Sequence, residues 1–184
     1  MPPSSPGSDA AGLDAGGRHV VLVGLMGTGK TSVGRRVAQC LGRPFLDSDA
    51  QVEARTGRTV REIFESDGEA VFRELEARAL ADALGRCDPS VIAAAGGVVL
   101  DPANRERLRT SATAVWLRAE PSLLASRIAA GDHRPLLDDD PRQMLARMHE
   151  QRGALDDEVA GGRVVDVGSS SIEEAVDAVL ELVS

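Results

Sequence analysis

The sequence predicts an α/β protein, a three-layer sandwich in which helices flank a five-stranded parallel sheet. Two observations carry this. Short apolar runs alternate along the chain with segments of helical periodicity, the pattern of right-handed βαβ units. The first such run also passes through a tight glycine turn straight into a helix. At 184 residues the length favours one domain with a sizeable core.

The first strand, Val20-Val21-Leu22-Val23, leads into Gly24-Leu25-Met26-Gly27-Thr28-Gly29-Lys30-Thr31, which satisfies G-x-x-x-x-G-K-[ST] at every fixed position. Residues 32–41 follow, with Val33, Val37 and Leu41 at helical spacing. The glycines let the backbone curl so that several N–H groups converge on a phosphate, and the helix N-terminus behind adds partial positive charge. Lys30 is the only lysine of the chain, every other cation being arginine. It supplies a mobile charge for the outer phosphates, and the Thr31 hydroxyl is placed to ligate Mg²⁺. Gly27, Thr28, Gly29, Lys30, Thr31 and Ser32 are the expected nucleotide cradle.

Next comes Phe45-Leu46-Asp47-Ser48-Asp49, a short strand in which alternation puts Asp47 and Asp49 on the same side, at the strand end where ligands bind in an open parallel sheet. Capping by Asp49 of a helix over residues 50–55 is the structural alternative. Thr59-Val60-Arg61-Glu62 is a capping box opening a short helix, and Asp67-Gly68-Glu69 starts a longer one with an apolar face of Val71, Phe72, Leu75, Ala79, Leu80 and Ala83. Arg73 lies near its start with Glu76 three residues on, a spacing that suits either a surface ion pair or an oriented binding guanidinium.

Residues 90–94 form a buried strand running into Ala95-Gly96-Gly97, where paired glycines either admit a ligand to the backbone or ease the turn before Asp101-Pro102. A helix over 102–109, a strand over 113–117 and a helix over 121–130 follow. Residues 131–140 break the pattern with a charged loop carrying Arg134, which is either a surface loop or a lid over the nucleotide, with Arg127 on the preceding helix facing the same region. Asp140-Pro141 caps a helix from Arg142 to about Leu155, residues 163–167 give the fifth strand, and a second capping box, Ser171 to Glu174, opens the closing helix at 175–183.

Taken together these stretches resemble shikimate kinase over nearly everything after the first 17 residues. The agreement lies in the order Gly-Leu-Met-Gly-Thr-Gly-Lys-Thr, Phe-Leu-Asp-Ser-Asp, Ile-Phe-Glu-Ser-Asp-Gly-Glu-Ala-Val-Phe-Arg-Glu-Leu-Glu, Gly96-Gly97-Val98-Val99, Arg134-Pro135-Leu136-Leu137, and Arg152 in a helix ending near Ala160. The resemblance implies a P-loop nucleoside monophosphate kinase-like fold with a substrate subdomain at about 49–78 and a lid at about 131–140. It assigns Lys30 and the loop amides to ATP phosphates, Thr31 directly and Asp47 through water to Mg²⁺, and Arg127 and Ser169 to the nucleotide's adenine end. It places Arg73 and Arg152 on the shikimate carboxylate, Asp49 on its hydroxyls, Gly96 and Gly97 near its ring, and Arg134 across the phosphate gap. Lys30, Asp49 and Arg134 are thus the implied catalytic residues. Three positions depart from the family pattern: Ala95 where a third glycine is usual, Asp156 where a tyrosine is usual, and Ser169-Ser170-Ser171 where arginine or proline is often found.

The implied reaction is ATP-dependent phosphorylation of shikimate. A kinase of the same fold for another carboxylated polyol or cyclitol is the alternative within enzymes, and a non-catalytic ATP switch the alternative outside them. A formal charge of −8 with no basic stripe excludes a nucleic-acid partner. Residues 1–17 read as a disordered tail without the features of a signal peptide, and no apolar run is long enough for a membrane span. Cys40 and Cys87 read as buried or incidental thiols, and the composition points to a cytoplasmic monomer comprising one domain over 18–184.

Overall fold

The computed structural model describes residues 17–129 and 140–184. Its elements run β1 (His19–Val23), α1 (Lys30–Leu41), β2 (Phe45–Asp47), α2 (Ser48–Thr56), α3 (Val60–Leu84), β3 (Val91–Ala93), a 3₁₀ turn (Val98–Leu100), α4 (Pro102–Ser111), β4 (Ala112–Arg118), α5 (Pro121–Ala129), α6 (Pro141–Ala160), β5 (Val164–Asp166) and α7 (Ile172–Val183). The five strands form one sheet in the order β2-β3-β1-β4-β5, and every pairing is parallel, with Val21 opposite both Ile92 and Ala114.

The continuous apolar reading of β1 follows from burial on both faces. Val20 and Leu22 pack on one side with Val33 and Val37 of α1, Leu124 of α5 and Val176 and Val179 of α7. Val21 and Val23 pack on the other with Leu80 of α3, Leu108 of α4 and Val159 of α6. This is the period-two alternation of a strand between two helical layers. A smaller cluster of Val52, Ile63, Phe72 and Ala79 joins α2 to α3.

Strand order also positions the site. From β1 the chain crosses to β2 on one side, and from its neighbour β3 it crosses to β4 on the other. The loops after β1 and β3 therefore separate at their carboxyl ends and leave a crevice there.

Local signals held where they rested on backbone chemistry. Thr59 with Glu62 and Ser171 with Glu174 form complete capping boxes, while Asp101 and Asp140 cap α4 and α6 through backbone N–H groups. The two helices expected around residues 60–83 are one span, α3, broken at Gly68, whose φ of 83° and ψ of 173° lie outside the helical region. One expectation needs correcting. The strand ends at Asp47, and Asp49 lies in the first turn of α2, so strand alternation does not relate them. Asp47, not Asp49, is the N-cap, because its carboxylate reaches forward to two backbone N–H groups. Cys40 and Cys87 are exposed rather than buried. Apart from Gly17 and Asp140, the expected tail at 1–17 and the lid at 131–140 lie outside the described residues. No helix among the described residues is long and apolar enough to cross a membrane.

Candidate active site

The loop after β1 depends on its glycines. Gly24, Gly27 and Gly29 hold φ of 130°, 81° and 86°, a region that side chains disfavour. A Cβ on Gly24 would also stand 2.4 Å from the Leu117 carbonyl oxygen of β4. Gly29 is the N-cap of α1, whose first turn carries no acidic residue, so the helix end keeps its positive potential for an anion. Lys30 folds back over the loop, its Nζ donating to the carbonyls of Gly24 at 2.7 Å and Leu25 at 2.9 Å. Thr28 is buried and donates its hydroxyl proton to Leu25 O. Its side chain braces the loop and is absent from the lining of the cavity.

Thr31 and Asp47 meet as a pair. Thr31 Oγ1 donates to Asp47 Oδ2 at 2.7 Å, while Asp47 Oδ1 accepts from Asp49 N at 3.1 Å and Ala50 N at 3.3 Å. One carboxylate thereby caps α2 and presents its second oxygen beside a hydroxyl at the phosphate loop. Two hard oxygens suit Mg²⁺, which keeps several waters and completes its shell from phosphates rather than from an all-protein cage. Among the described residues no group of three or more His, Cys, Asp or Glu is placed to hold a metal ion.

Across the crevice, Arg73 of α3 and Arg152 of α6 approach the turn after β3. A Cβ on Gly97 would stand 1.7 Å from Arg73 Nη1, and one on Gly96 would stand 3.2 Å from Arg152 Nη1. The two glycines provide the space that the two guanidinium groups occupy. Arg73 is held by Glu76 at 2.5 Å and by Glu69 at 2.9 Å. Burial opposes its charge, but Glu76 and Glu69 outweigh burial and raise its pKa. Glu76, only 2% exposed, has a pKa pushed up to about 7 by burial, with Arg73 pulling the other way. Burial and the nearby Arg73 charge lower the pKa of Arg152. The turn itself is fixed by Ser48, a buried residue that sequence reasoning passed over: its hydroxyl accepts from Ala95 N at 2.7 Å. A polar residue inside the Phe-Leu-Asp-Ser-Asp stretch was the available signal.

These groups surround one cavity of about 810 Å³, within the range of small-molecule sites. Gly27, Gly29, Lys30, Thr31, Ser32, Asp47, Asp49, Arg73, Gly96, Gly97, Arg127 and Arg152 all line it. Phe64 and Phe72, whose ring centroids are 4.6 Å apart, supply an apolar wall; the sequence reading had put Phe72 on the apolar face of its helix and made no use of Phe64. Arg127 Nη2 donates to the carbonyls of Val167 and Gly168, both at 3.0 Å, linking α5 to the loop after β5. Ser169 is exposed and is not among the lining residues. Arg134 lies outside the described residues.

The arrangement combines a glycine loop at a helix N-terminus, a hydroxyl–carboxylate pair, a carboxylate at Asp49 and two guanidiniums, a set of groups suited to phosphoryl transfer to an anionic acceptor. Comparison with known proteins gives the same direction. The family model described as shikimate kinase matches residues 26–184. The shikimate kinase of Ruegeria pomeroyi is 45% identical over 164 residues, covering 89% of this chain and 83% of the relative. That of Paramagnetospirillum magneticum is 49% identical over 137 residues, covering 74% and 70%. The structure of shikimate kinase from Acinetobacter baumannii in complex with shikimate superposes with a TM-score of 0.85 at 36% identity, covering 90% of this chain and 92% of that one. With the family model spanning all but the first 25 residues, and with the site assembled on the matching fold, this chain belongs to the shikimate kinase family.

Proposed function

We propose that this protein transfers the γ-phosphoryl group of ATP to a ring hydroxyl of shikimate, giving shikimate 3-phosphate and ADP on the route to chorismate and the aromatic amino acids. The supporting observation is the convergence of Arg73 and Arg152 over Gly97 and Gly96 in the cavity that also holds Lys30 and Asp49. Two guanidiniums grip a planar carboxylate bidentately, a geometry that ammonium groups do not reproduce. An acidic ligand between them would offset the burial and the Arg73 charge that lower the pKa of Arg152.

In this reading Arg73 and Arg152 anchor the carboxylate, and Asp49 accepts a hydrogen bond from the reacting hydroxyl and aims its oxygen at the γ-phosphorus. A bond forms from that oxygen to phosphorus as the bond to the β–γ bridging oxygen breaks, the hydroxyl proton passing to the Asp49 carboxylate and ADP leaving with the bridging oxygen. Lys30 leaves its two loop carbonyls for the outer phosphates, with the loop N–H groups holding the remaining oxygens. Thr31 directly, and Asp47 through water, would hold Mg²⁺, which supplies further neutralisation of phosphate charge. Arg127 sits on the nucleotide side, Ser169 beyond it at the adenine end, and Arg134 serves from the segment at 131–140 as a second phosphate cation. Asp49 and Lys30 touch the reacting groups, so positioning and charge account for most of the rate. The enzyme acts as a cytoplasmic monomer.

The direct test is ADP release from MgATP with shikimate, quinate, gluconate or no acceptor. Shikimate is expected to stimulate release, the others little. Stimulation by gluconate or quinate in its place would overturn the assignment.

A further inference from the structure

Asp156 is 2% exposed and lies on α6 one turn beyond Arg152, itself 5% exposed. Four-residue spacing puts both on one helix face. Among the described residues, Asp156 Oδ1 and Arg152 Nε have no hydrogen-bond partner. Arg152 lines the cavity and Asp156 does not, so the carboxylate stands behind the guanidinium. Burial raises the pKa of Asp156 to about 7, against the attraction of Lys30 and Arg152. Among the described residues no other charge acts on it comparably: Arg73, Glu76 and Glu69 of α3 act on Arg152, and Asp49 of α2 acts on Glu76. A buried carboxyl thus faces one cation assigned to nucleotide phosphate and one assigned to the substrate carboxylate.

We propose that Asp156 is a positioning residue, the counter-charge that balances Lys30 and Arg152 before anionic ligands arrive and that takes up a proton once those ligands engage the two cations. The inference rests on the roles given to Lys30 and Arg152 above. The electrostatics fix its sign. Ligand anions at Lys30 and Arg152 weaken the two attractions that favour ionised Asp156, burial then dominates, and the proton-bound form is favoured. Protonation also leaves both cations free of an internal competitor, so each ligand binds a site cleared by the other. Nucleotide and acid binding are coupled through one proton.

Calorimetric titration near pH 7, in two buffers of unequal ionisation enthalpy, reads the proton directly. MgADP is titrated first and shikimate is then added to the MgADP complex. Because Asp156 is half ionised near pH 7, it can supply an uptake approaching about half a proton. In the MgADP arm, where Arg73 is not engaged and Glu76 keeps its partner, Asp156→Asn should lose the uptake, while Glu76→Gln, which removes the other buried carboxyl of raised pKa, should keep it. Equal uptake in wild type and Asp156→Asn, or its loss in Glu76→Gln, would overturn the proposal. Should Asp156→Asn not fold, uptake by wild type and Glu76→Gln must rise from about pH 6 towards about pH 7.5, and a flat profile would overturn it. Absence of shikimate binding would sink the proposed substrate, leaving the MgADP arm to decide on Asp156 through Lys30 alone.

Discussion

Thr31 Oγ1 and Asp47 Oδ2 lie 2.7 Å apart, tying the first turn of α1 to the end of β2 through a single hydrogen bond. Because Asp47 uses its other oxygen to cap α2, its capping role and the metal-binding role proposed for it can be separated by mutation. Asparagine caps as well as aspartate but carries no charge. Asp47→Asn should therefore melt close to wild type and need about tenfold more Mg²⁺ for half-maximal activity. Asp47→Ala should lose about 1 kcal/mol of stability as well. A Mg²⁺ titration of turnover with thermal melts of both variants checks this, and an unchanged Mg²⁺ requirement in both would remove Asp47 from the metal site.

Lys30 Nζ donates to the loop carbonyls of Gly24 and Leu25, contacts that α1 does not need for its own backbone ladder. Lys30→Met should keep the fold by circular dichroism and lose at least about a hundredfold in kcat, the scale of removing a transition-state charge contact. Near-normal turnover would contradict the phosphate-loop assignment.

Gly97 is sensitive for a reason of space, not of backbone angle. A methyl there collides with the Arg73 guanidinium, the far end of a flexible side chain. Gly97→Ala should cost little stability but push Arg73 off its pairing with Glu76 and raise KM for the acid substrate by about tenfold or more, leaving KM for ATP little changed. Parallel increases in both constants would place Arg73 elsewhere. Arg73→Ala should show the same selectivity more strongly.

Stability should depend on pH in an unusual window. Glu76 and Asp156 have folded pKa values raised to about 7, so between the ordinary carboxyl value and about 7 the native state binds more protons than the unfolded chain. Stability then falls as pH rises through that range, and the loss levels off above it. Each group contributes on the order of 3–4 kcal/mol across the window. Glu62, Asp67 and Glu173, whose pKa values are lowered mainly by hydrogen bonds, act in the opposite sense only at lower pH. Denaturant melts from about pH 5 to about pH 8.5 should show declining stability without ligand, and a flat or rising profile would contradict the burial of these two carboxyls.

Much of the site was legible because it is local. The phosphate loop is contiguous, its glycines answer to backbone angles, and Lys30 and Thr31 follow directly, so spacing alone specified them. Capping boxes and the Gly68 break are likewise short-range. The relation of Asp47 to Asp49 was misread because strand alternation was extended one residue past the point where Asp47 captures the next helix's N–H groups. Where β2 stops is settled by its pairing with β3, which ends at Asp47 opposite Ala93.

By itself the sequence determined the fold class, the nucleotide loop and the identity of the charged residues, because periodicity, turn chemistry and capping act over a few residues. Only the tertiary structure decided what Arg73, Arg152, Gly96, Gly97 and Asp156 are to one another. Their relation spans α3, the turn after β3 and α6, and depends on the strand order β2-β3-β1-β4-β5 that brings those elements to one crevice. Burial then changes what the residue types mean. A carboxyl that would be an ordinary surface charge on a helix becomes, behind Arg152 and out of water, a group that titrates near neutrality, because desolvation penalises its ionised form more than two neighbouring cations can offset.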